Sequence, residues 1–231
     1  MKFYSVIKTT LLLSSVFLLS ACEVPGKVND YDSLPGIAYG HIINASPSTT
    51  ELDFFLGDSK LNRQRGLSYG EVEGSFEIYT GNNTFTLKNN NGDNLASVSQ
   101  RLSNMEHFSV FAINTPTNIE LKVYKDVLGD PSSNSSLVQF INLSPDSNPI
   151  SIKNTSMVFK EGLSFKETTG YGHISNNTHV FTFSDTETGE EILTESIRII
   201  PGRAYTIFTK GYISAPEGSS NSFSVQVFRH Y

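Results

Sequence analysis

The residues best placed for covalent chemistry are Leu19-Ser20-Ala21-Cys22, which close a short apolar run and contain the single cysteine of a 231-residue chain. The pattern is that of a lipobox: small residues at a cleavage point, then a thiol that becomes the new N-terminal residue and takes a diacylglyceryl thioether. Upstream, Lys2 and Lys8 supply a basic start and Leu11 to Leu19 an apolar core. That core is far shorter than the ~20 apolar residues of a membrane-crossing helix, so residues 1–21 read as a removable signal peptide. With no second cysteine, no disulfide competes for the thiol. Two or three acyl chains make such an anchor stable, each buried methylene being worth ~0.8 kcal/mol.

Other groups are weaker candidates. Glu71 and Glu167 follow the same Gly-Leu-Ser in two places, and a repeated carboxylate could act as a general acid or base. The same repetition fits a carboxylate that accepts hydrogen bonds from a turn, and this reading is preferred. His41, His107, His173, His179 and His230 show no i, i+4 pair, and none has the companions of a zinc shell. Asp185-Thr-Glu-Thr-Gly-Glu-Glu191 could hold calcium, but its spacing departs from the EF-hand loop and suits a solvated hairpin tip. No Gly-X-Ser-X-Gly elbow and no phosphate-cradling glycine loop is present. The expectation is a non-enzymatic chain with no catalytic residue, no metal and no cofactor.

The charge balance narrows the partners. Losing residues 1–21 removes two lysines, leaving 15 basic against 23 acidic residues and a formal charge of −8. No Lys/Arg cluster exists to neutralise phosphates, so nucleic acid is excluded as a partner. Glu23 to Gly36 carries two Pro-Gly breaks and little apolar periodicity, which makes residues 22–36 a lipidated tether reaching at most ~50 Å.

The elements that would position any site are strands. Phe and Tyr contribute 26 residues, and short apolar runs alternate with turn signals without helical spacing. Thr84 to Val98 predicts a hairpin turning at Asn91-Gly92, and Thr178 to Glu195 a second turning around Gly189. These belong to an internal repeat. Asn44-Ala-Ser-Pro47 recurs as Asn142-Leu-Ser-Pro145, and Gly66-Leu-Ser-Tyr-Gly-Glu71 recurs as Gly162-Leu-Ser-Phe-Lys-Glu167. From Gly66 to Thr84 nine positions recur in order, and each copy closes with an aromatic strand, Phe108 to Ile113 and Tyr205 to Lys210. Two tandem antiparallel β-sandwiches follow, of immunoglobulin-like or transthyretin-like appearance, at residues 37–128 and 137–231, with 129–136 as linker. The Cys and Trp of an immunoglobulin core are absent.

The strand-Asn-X-Ser-Pro opening, the glycine-led aromatic segment, the Asn-Asn-Thr hairpin and the closing Ile200-Pro-Gly-Arg-Ala-Tyr-Thr-Ile-Phe208 resemble a bacterial repeat of Bacteroidetes lipoproteins, domain of unknown function 4397. In the first copy Asn104-Met-Glu-His-Phe108 replaces the Pro-Gly turn. The resemblance implies a β-sandwich envelope module and brings no catalytic residues. Asp32-Ser33-Leu34 is similar to the O-glycosylation acceptor of Bacteroidetes secreted proteins, and equally to an ordinary turn.

Two function classes remain. One is a structural, adhesive or protein-docking lipoprotein, membrane-anchored by lipid on Cys22, most naturally in the outer membrane. The other is a glycan- or nutrient-binding accessory lipoprotein with exposed tyrosines as stacking platforms. The absence of Trp counts against the second, while Tyr69, Tyr79, Tyr171 and Tyr212 are its candidate ligand-facing residues. A coplanar exposed set would favour glycan binding, and burial would favour the scaffold.

Overall fold

A computed structural model describes residues 35–63, 65–131, 133–216 and 218–230. The expectations for the signal peptide, for Cys22 and its lipobox and for Ser33 lie outside the described residues. The first repeat holds β1 (Ile37–Asn44), β2 (Asp53–Leu56), β3 (Ser59–Lys60), β4 (Val72–Tyr79), β5 (Gly81–Lys88), β6 (Asn94–Leu102), β7 (His107–Ile113) and β8 (Glu120–Lys125). The second holds β9 (Ser135–Asn142), β10 (Ile150–Lys153), β11 (Val158–Leu163), β12 (Gly172–Ser175), β13 (Asn177–Asp185), β14 (Glu191–Ile199), β15 (Ala204–Lys210) and β16 (Ser224–Arg229). Among the described residues no helix is long and apolar enough to cross a membrane.

Each repeat is a sandwich of two four-stranded sheets with the same strand plan. The orders are β4-β1-β7-β8 and β3-β2-β5-β6 in the first, and β12-β9-β15-β16 and β11-β10-β13-β14 in the second. The expected all-β sandwich architecture is therefore present twice. Neighbouring strands pair antiparallel except at one place in each copy, where β1 runs parallel to β7 and β9 parallel to β15. Both expected hairpins form, with Gly92 at φ 87° and Gly189 at φ 76°, a region in which a Cβ is strained.

The parallel pairs explain the packing. Strands buried on both faces read as near-continuous apolar runs, and β1, β7, β9 and β15 are buried along almost their whole length. Alternation sends Ile42, Val110 and Ala112 inward, where they meet Phe54, Phe85, Leu87 and Phe108 in the first core. The second core gathers Phe140, Ile152, Phe181, Phe183 and Ile207. The opposite faces of the same strands carry Ile43, Phe111 and Ile113 from one repeat and Ile141, Leu143 and Phe208 from the other, and these form a third core. Phe111 and Phe208 meet edge to face there, with ring centroids 5.3 Å apart.

The two repeats thus share an interior. The spacer is shorter than the expected 129–136, because Ser135 and Ser136 already belong to β9, and Ser136 is buried with its hydroxyl donating to Ile200 O at 2.6 Å. Serine-rich composition hid this, since a buried serine satisfied by a carbonyl looks in sequence like a linker residue. Every strand among the described residues lies between Ile37 and Arg229, within the one compact unit that Pro35 to Tyr231 forms.

Candidate functional site

The repeated Asn-X-Ser-Pro motif builds the same corner twice. Asn44 Nδ2 donates to Leu67 O at 2.9 Å while its Oδ1 accepts from Ser46 N at 3.2 Å. Asn142 does the same to Leu163 O at 3.0 Å and from Ser144 N at 3.1 Å. Glu71 and Glu167 belong to this corner, their carboxylates accepting from Ser68 N at 2.8 Å and Ser164 N at 3.0 Å. Arg65 also pairs with Glu71, and these bonds, the arginine's first, hold the Glu71 carboxyl below the usual range. A carboxylate held ionised by such partners is poorly disposed to give or take a proton at neutral pH. The open depression of about 370 Å³ beside it is lined by Arg63, Arg65, Glu71 and Glu73, whose charges pair among themselves.

Among the described residues a dense set of titratable groups lies between the sandwiches, around Asp126. Asp126 accepts from Ser109 Oγ at 2.6 Å, Gln139 Nε2 at 3.0 Å and Tyr171 Oη at 3.1 Å. His230 Nδ1 lies 3.8 Å from Asp126 Oδ2, and His230 Nε2 lies 2.7 Å from Tyr171 Oη and 2.8 Å from Thr206 Oγ1. His41 packs edge-on against His230 at 5.2 Å between centroids. Burial pushes Asp126 up to about 6, against the pull of its hydrogen bonds. It pushes His41 down to about 4 and His230 down to about 3, with neighbouring histidines adding to both effects. The side chains of Asp126 and His230 are 0 % and 1 % exposed.

Serine, aspartate and histidine together suggest nucleophilic catalysis, but the order is wrong for it. The carboxylate stands between Ser109 and His230, so Ser109 has no base, and the hydroxyl that His230 does meet, Thr206 Oγ1 at 2.8 Å, belongs to a fully buried residue. The depressions beside Arg65, Asn177, Ile37, Ala96 and Lys153 are lined by none of these groups. What the arrangement does is satisfy a buried carboxylate with three donors drawn from both repeats, which fixes how the two sandwiches face each other. Sequence reading missed it because its members come from β7, β9, β15 and the segments after β8, before β12 and after β16.

The histidines outside this set also have structural partners. His107 stacks on Tyr39 at 5.2 Å, His173 Nδ1 lies 3.1 Å from Ser135 Oγ, and His179 Nε2 donates to Ser175 O at 2.8 Å. Asp185 spends one carboxylate oxygen on Glu187 N and Thr188 N at 2.7 and 3.0 Å, closing the acidic hairpin tip. Among the described residues no group of three or more His, Cys, Asp or Glu is placed to hold a metal.

The four candidate tyrosines are not assembled into a platform. Tyr171 has its hydroxyl in the buried network, and Tyr69 is half-buried under Lys210, whose Nζ sits 4.2 Å from the ring centroid. Tyr212 is half-buried as well, and only Tyr79 is exposed, at 68 %. The Tyr171 hydroxyl bonds to Asp126 of the first repeat and lies 2.7 Å from His230 of the second, a junction that leaves no mark in either copy alone. The surface offers instead long sheet edges: β6 and β14, nine residues each, are paired on one side only.

A family model described as "Domain of unknown function (DUF4397)" matches residues 38–153. No curated protein matches the chain. Among solved structures, a candidate cell adhesion protein from Bacteroides eggerthii is 9 % identical, with 85 % of this chain and 95 % of that chain covered and a TM-score of 0.21. CBMbc, a family CBM26 module of Eubacterium rectale Amy13K in complex with maltoheptaose, is 8 % identical, with 84 % and 97 % covered and a TM-score of 0.27. The fimbrial anchor protein Mfa2 from Porphyromonas gingivalis is 9 % identical, with 84 % and 97 % covered and a TM-score of 0.23. Superpositions this weak say nothing about ligand or partner.

Proposed function

The chain belongs to the family described as domain of unknown function 4397, and from that premise we propose a non-catalytic envelope lipoprotein whose paired sandwiches act as an adhesive or protein-docking module. Acylated Cys22 holds it to a membrane, the outer membrane of a Bacteroidetes-type cell being the natural place, and residues 137–231 are a second copy of the family's module. The strand-for-strand identity of the two topologies supports the second copy.

One observation carries the docking role. Among the described residues the cluster with the makings of chemistry is sealed between the repeats, while the nine-residue β14 ends its sheet with one side unpaired; β6, the matching edge of the first repeat, has β8 beside it. An open edge accepts a partner strand through main-chain hydrogen bonds, with alternate side chains giving selectivity. Neither strand carries a proline or a lysine, while Arg101 in β6 and Glu191, Glu195 and Arg198 in β14 place charges along them.

A photo-crosslinking residue placed at Ser97 or Ser196, in the chain displayed on its own cells, is expected to give a discrete protein adduct. The soluble 23–231 chain is expected to show no saturable binding on a glycan array or by calorimetry. Micromolar affinity for a defined oligosaccharide would overturn the proposal in favour of glycan binding.

A further inference from the structure

The parallel strands give each sandwich a defined lower end, at Ile37 and His107 in the first and at Ser135 and Ala204 in the second. The two lower ends lie side by side. Asp126 N donates to His107 O at 2.8 Å, His230 N donates to Ala204 O at 3.0 Å, and the two side chains are 3.8 Å apart. At the opposite end Ser48 N donates to Asn221 Oδ1 at 2.9 Å, and Lys166 pairs with Glu120 at 2.6 Å. Both repeats therefore present one common lower surface.

Four exposed apolar side chains gather there. Tyr79 pairs with Ile37, and Met105 N donates to Ile37 O at 2.7 Å. Val127 follows Lys125 and Asp126 at the end of β8, and Ile200 follows β14. Their exposures are 68 %, 62 %, 76 % and 42 %. Scattered exposed apolar residues are normal, but these coincide with exposed basic groups at the same end: Arg101, Lys125, Arg198, Arg203 and Arg229. The acidic residues of this end are Glu77, Glu106 and Asp130, beside the buried Asp126, and Glu106 is paired with Lys125 at 3.0 Å.

The opposite end has the reverse sign. Glu71, Asp93, Glu120, Asp146, Glu187 and Glu190 lie there, and Arg65 and Lys166 are tied up in ion pairs with Glu71 and Glu120. A chain of net negative charge thus carries four exposed arginines, Arg101, Arg198, Arg203 and Arg229, at one end, mixed with apolar and aromatic side chains. That combination suits a headgroup layer, where arginine meets phosphate and the apolar side chains reach the acyl boundary. The chain also enters the fold at this end, at Pro35 and Gly36, where Thr80 N donates to Gly36 O at 2.9 Å.

We propose that this lower end is a membrane-docking face that sits on anionic phospholipid headgroups, with Tyr79, Met105, Val127 and Ile200 dipping into the interface. The inference rests on the membrane-display reading for its setting. Docking points the acidic end and the upper loops outward and lays the long edges β6 and β14 upright, reachable from the side.

Flotation of residues 23–231 with phosphatidylcholine vesicles, with and without phosphatidylglycerol, tests this without any contribution from acylation. The expected result is binding to the anionic vesicles alone, weakened by salt. Arg198→Glu with Arg203→Glu should lower partitioning roughly tenfold or more. Tyr79→Ser with Val127→Ser should lower it as well, while Lys88→Glu with Lys166→Glu, at the other end, should leave it unchanged; circular dichroism confirms that each variant is folded. Equal binding to neutral vesicles, no binding, or an equal loss from the Lys88/Lys166 pair would overturn the proposal. So would a concentration-dependent dimer lost in the Tyr79/Val127 variant, which would assign the face to a second copy. Acylation of Cys22, read by mass spectrometry of the native chain, reports separately on the anchor.

Discussion

Asn44 and Asn142 occupy the same corner of the two sandwiches and make the same pair of bonds, yet Asn142 has one partner more: Thr209 Oγ1 donates to its Oδ1 at 2.8 Å. In the first repeat the residue paired with Asn44 is Ala112, which has no hydroxyl to give.

That difference predicts unequal costs. Asn44→Ala leaves Leu67 O and Ser46 N without their side-chain partner in a buried corner, a loss of about 2 kcal/mol. Asn142→Ala takes the side-chain partner from the equivalent pair and the acceptor from the Thr209 hydroxyl as well, and should cost about 1 kcal/mol more. Urea titrations of both variants decide it; equal midpoints would mean that the Thr209 contact contributes nothing.

Acid should weaken the fold before its ordinary carboxylates titrate. His41 and His230 have folded-state values near 4 and 3, below 6.5, so the unfolded chain takes their protons first and their stabilisation is lost as pH falls below about 6.5. Asp126 works the other way. Raised from 3.8 to about 6, it takes its proton first in the folded state and adds stability as pH falls from about 6 toward 4. Two histidines outweigh one aspartate, leaving a net loss of roughly 3 kcal/mol by about pH 4.5. Thermal melts across this range should show a falling midpoint, with a shallower fall in His230→Asn. A midpoint that rises on acidification would show that Asp126 dominates.

The shared third core predicts one unfolding transition for the whole of Pro35 to Tyr231. Phe111 is fully buried against Phe208 of the other repeat, so Phe111→Ala should cost about 3 to 5 kcal/mol and lower a single calorimetric peak. Two separated peaks, with only the first repeat moved by the substitution, would show that the repeats fold independently.

Two glycines with similar backbone conformations should respond differently to a methyl group. Gly189 has φ 76° and open space around it, so Gly189→Ala costs about 1 kcal/mol of left-handed strain. Gly211 has φ 84°, and a Cβ there would stand 2.3 Å from Ser222 O, a backbone atom. Gly211→Ala should therefore destabilise by several times as much. Comparable melting temperatures for the two variants would refute the clash.

Periodicity and turn chemistry carried the architecture into view: the repeat, the sandwich class and both glycine hairpins are legible because each rests on residues close in sequence. The shared core is not. Phe108 to Ile113 and Ala204 to Lys210 announce strands buried on both faces, but nothing in such a run says which neighbour covers the second face. The first copy's missing Pro-Gly turn shows a related limit. Met105 stands at φ 60° where Gly202 stands at φ 66°, so the turn persists although the glycine that marks it is gone. Lys166 at φ 69° against Gly70 at φ 85° repeats the lesson. The Asp126 network was invisible because the three donors to Asp126 lie between 13 and 45 residues away in the chain and His230 farther still, with no spacing rule to connect them.

The last prediction concerns the only thiol. Among the described residues the carboxylates and histidines that looked reactive in sequence are committed to turns, ion pairs or the interface. If Cys22 takes the lipid, Cys22→Ser removes the thioether and with it every acyl chain, while the unit from Pro35 onward keeps all its cores. A headgroup-level face alone binds reversibly, so the variant should leave the membrane in high salt, folded and with an unshifted melting temperature, whereas the parent chain stays. Fractionation of both chains in low and high salt, with mass spectrometry for the lipid, measures this. A Cys22→Ser chain that remains membrane-bound in high salt would show that the anchor lies elsewhere.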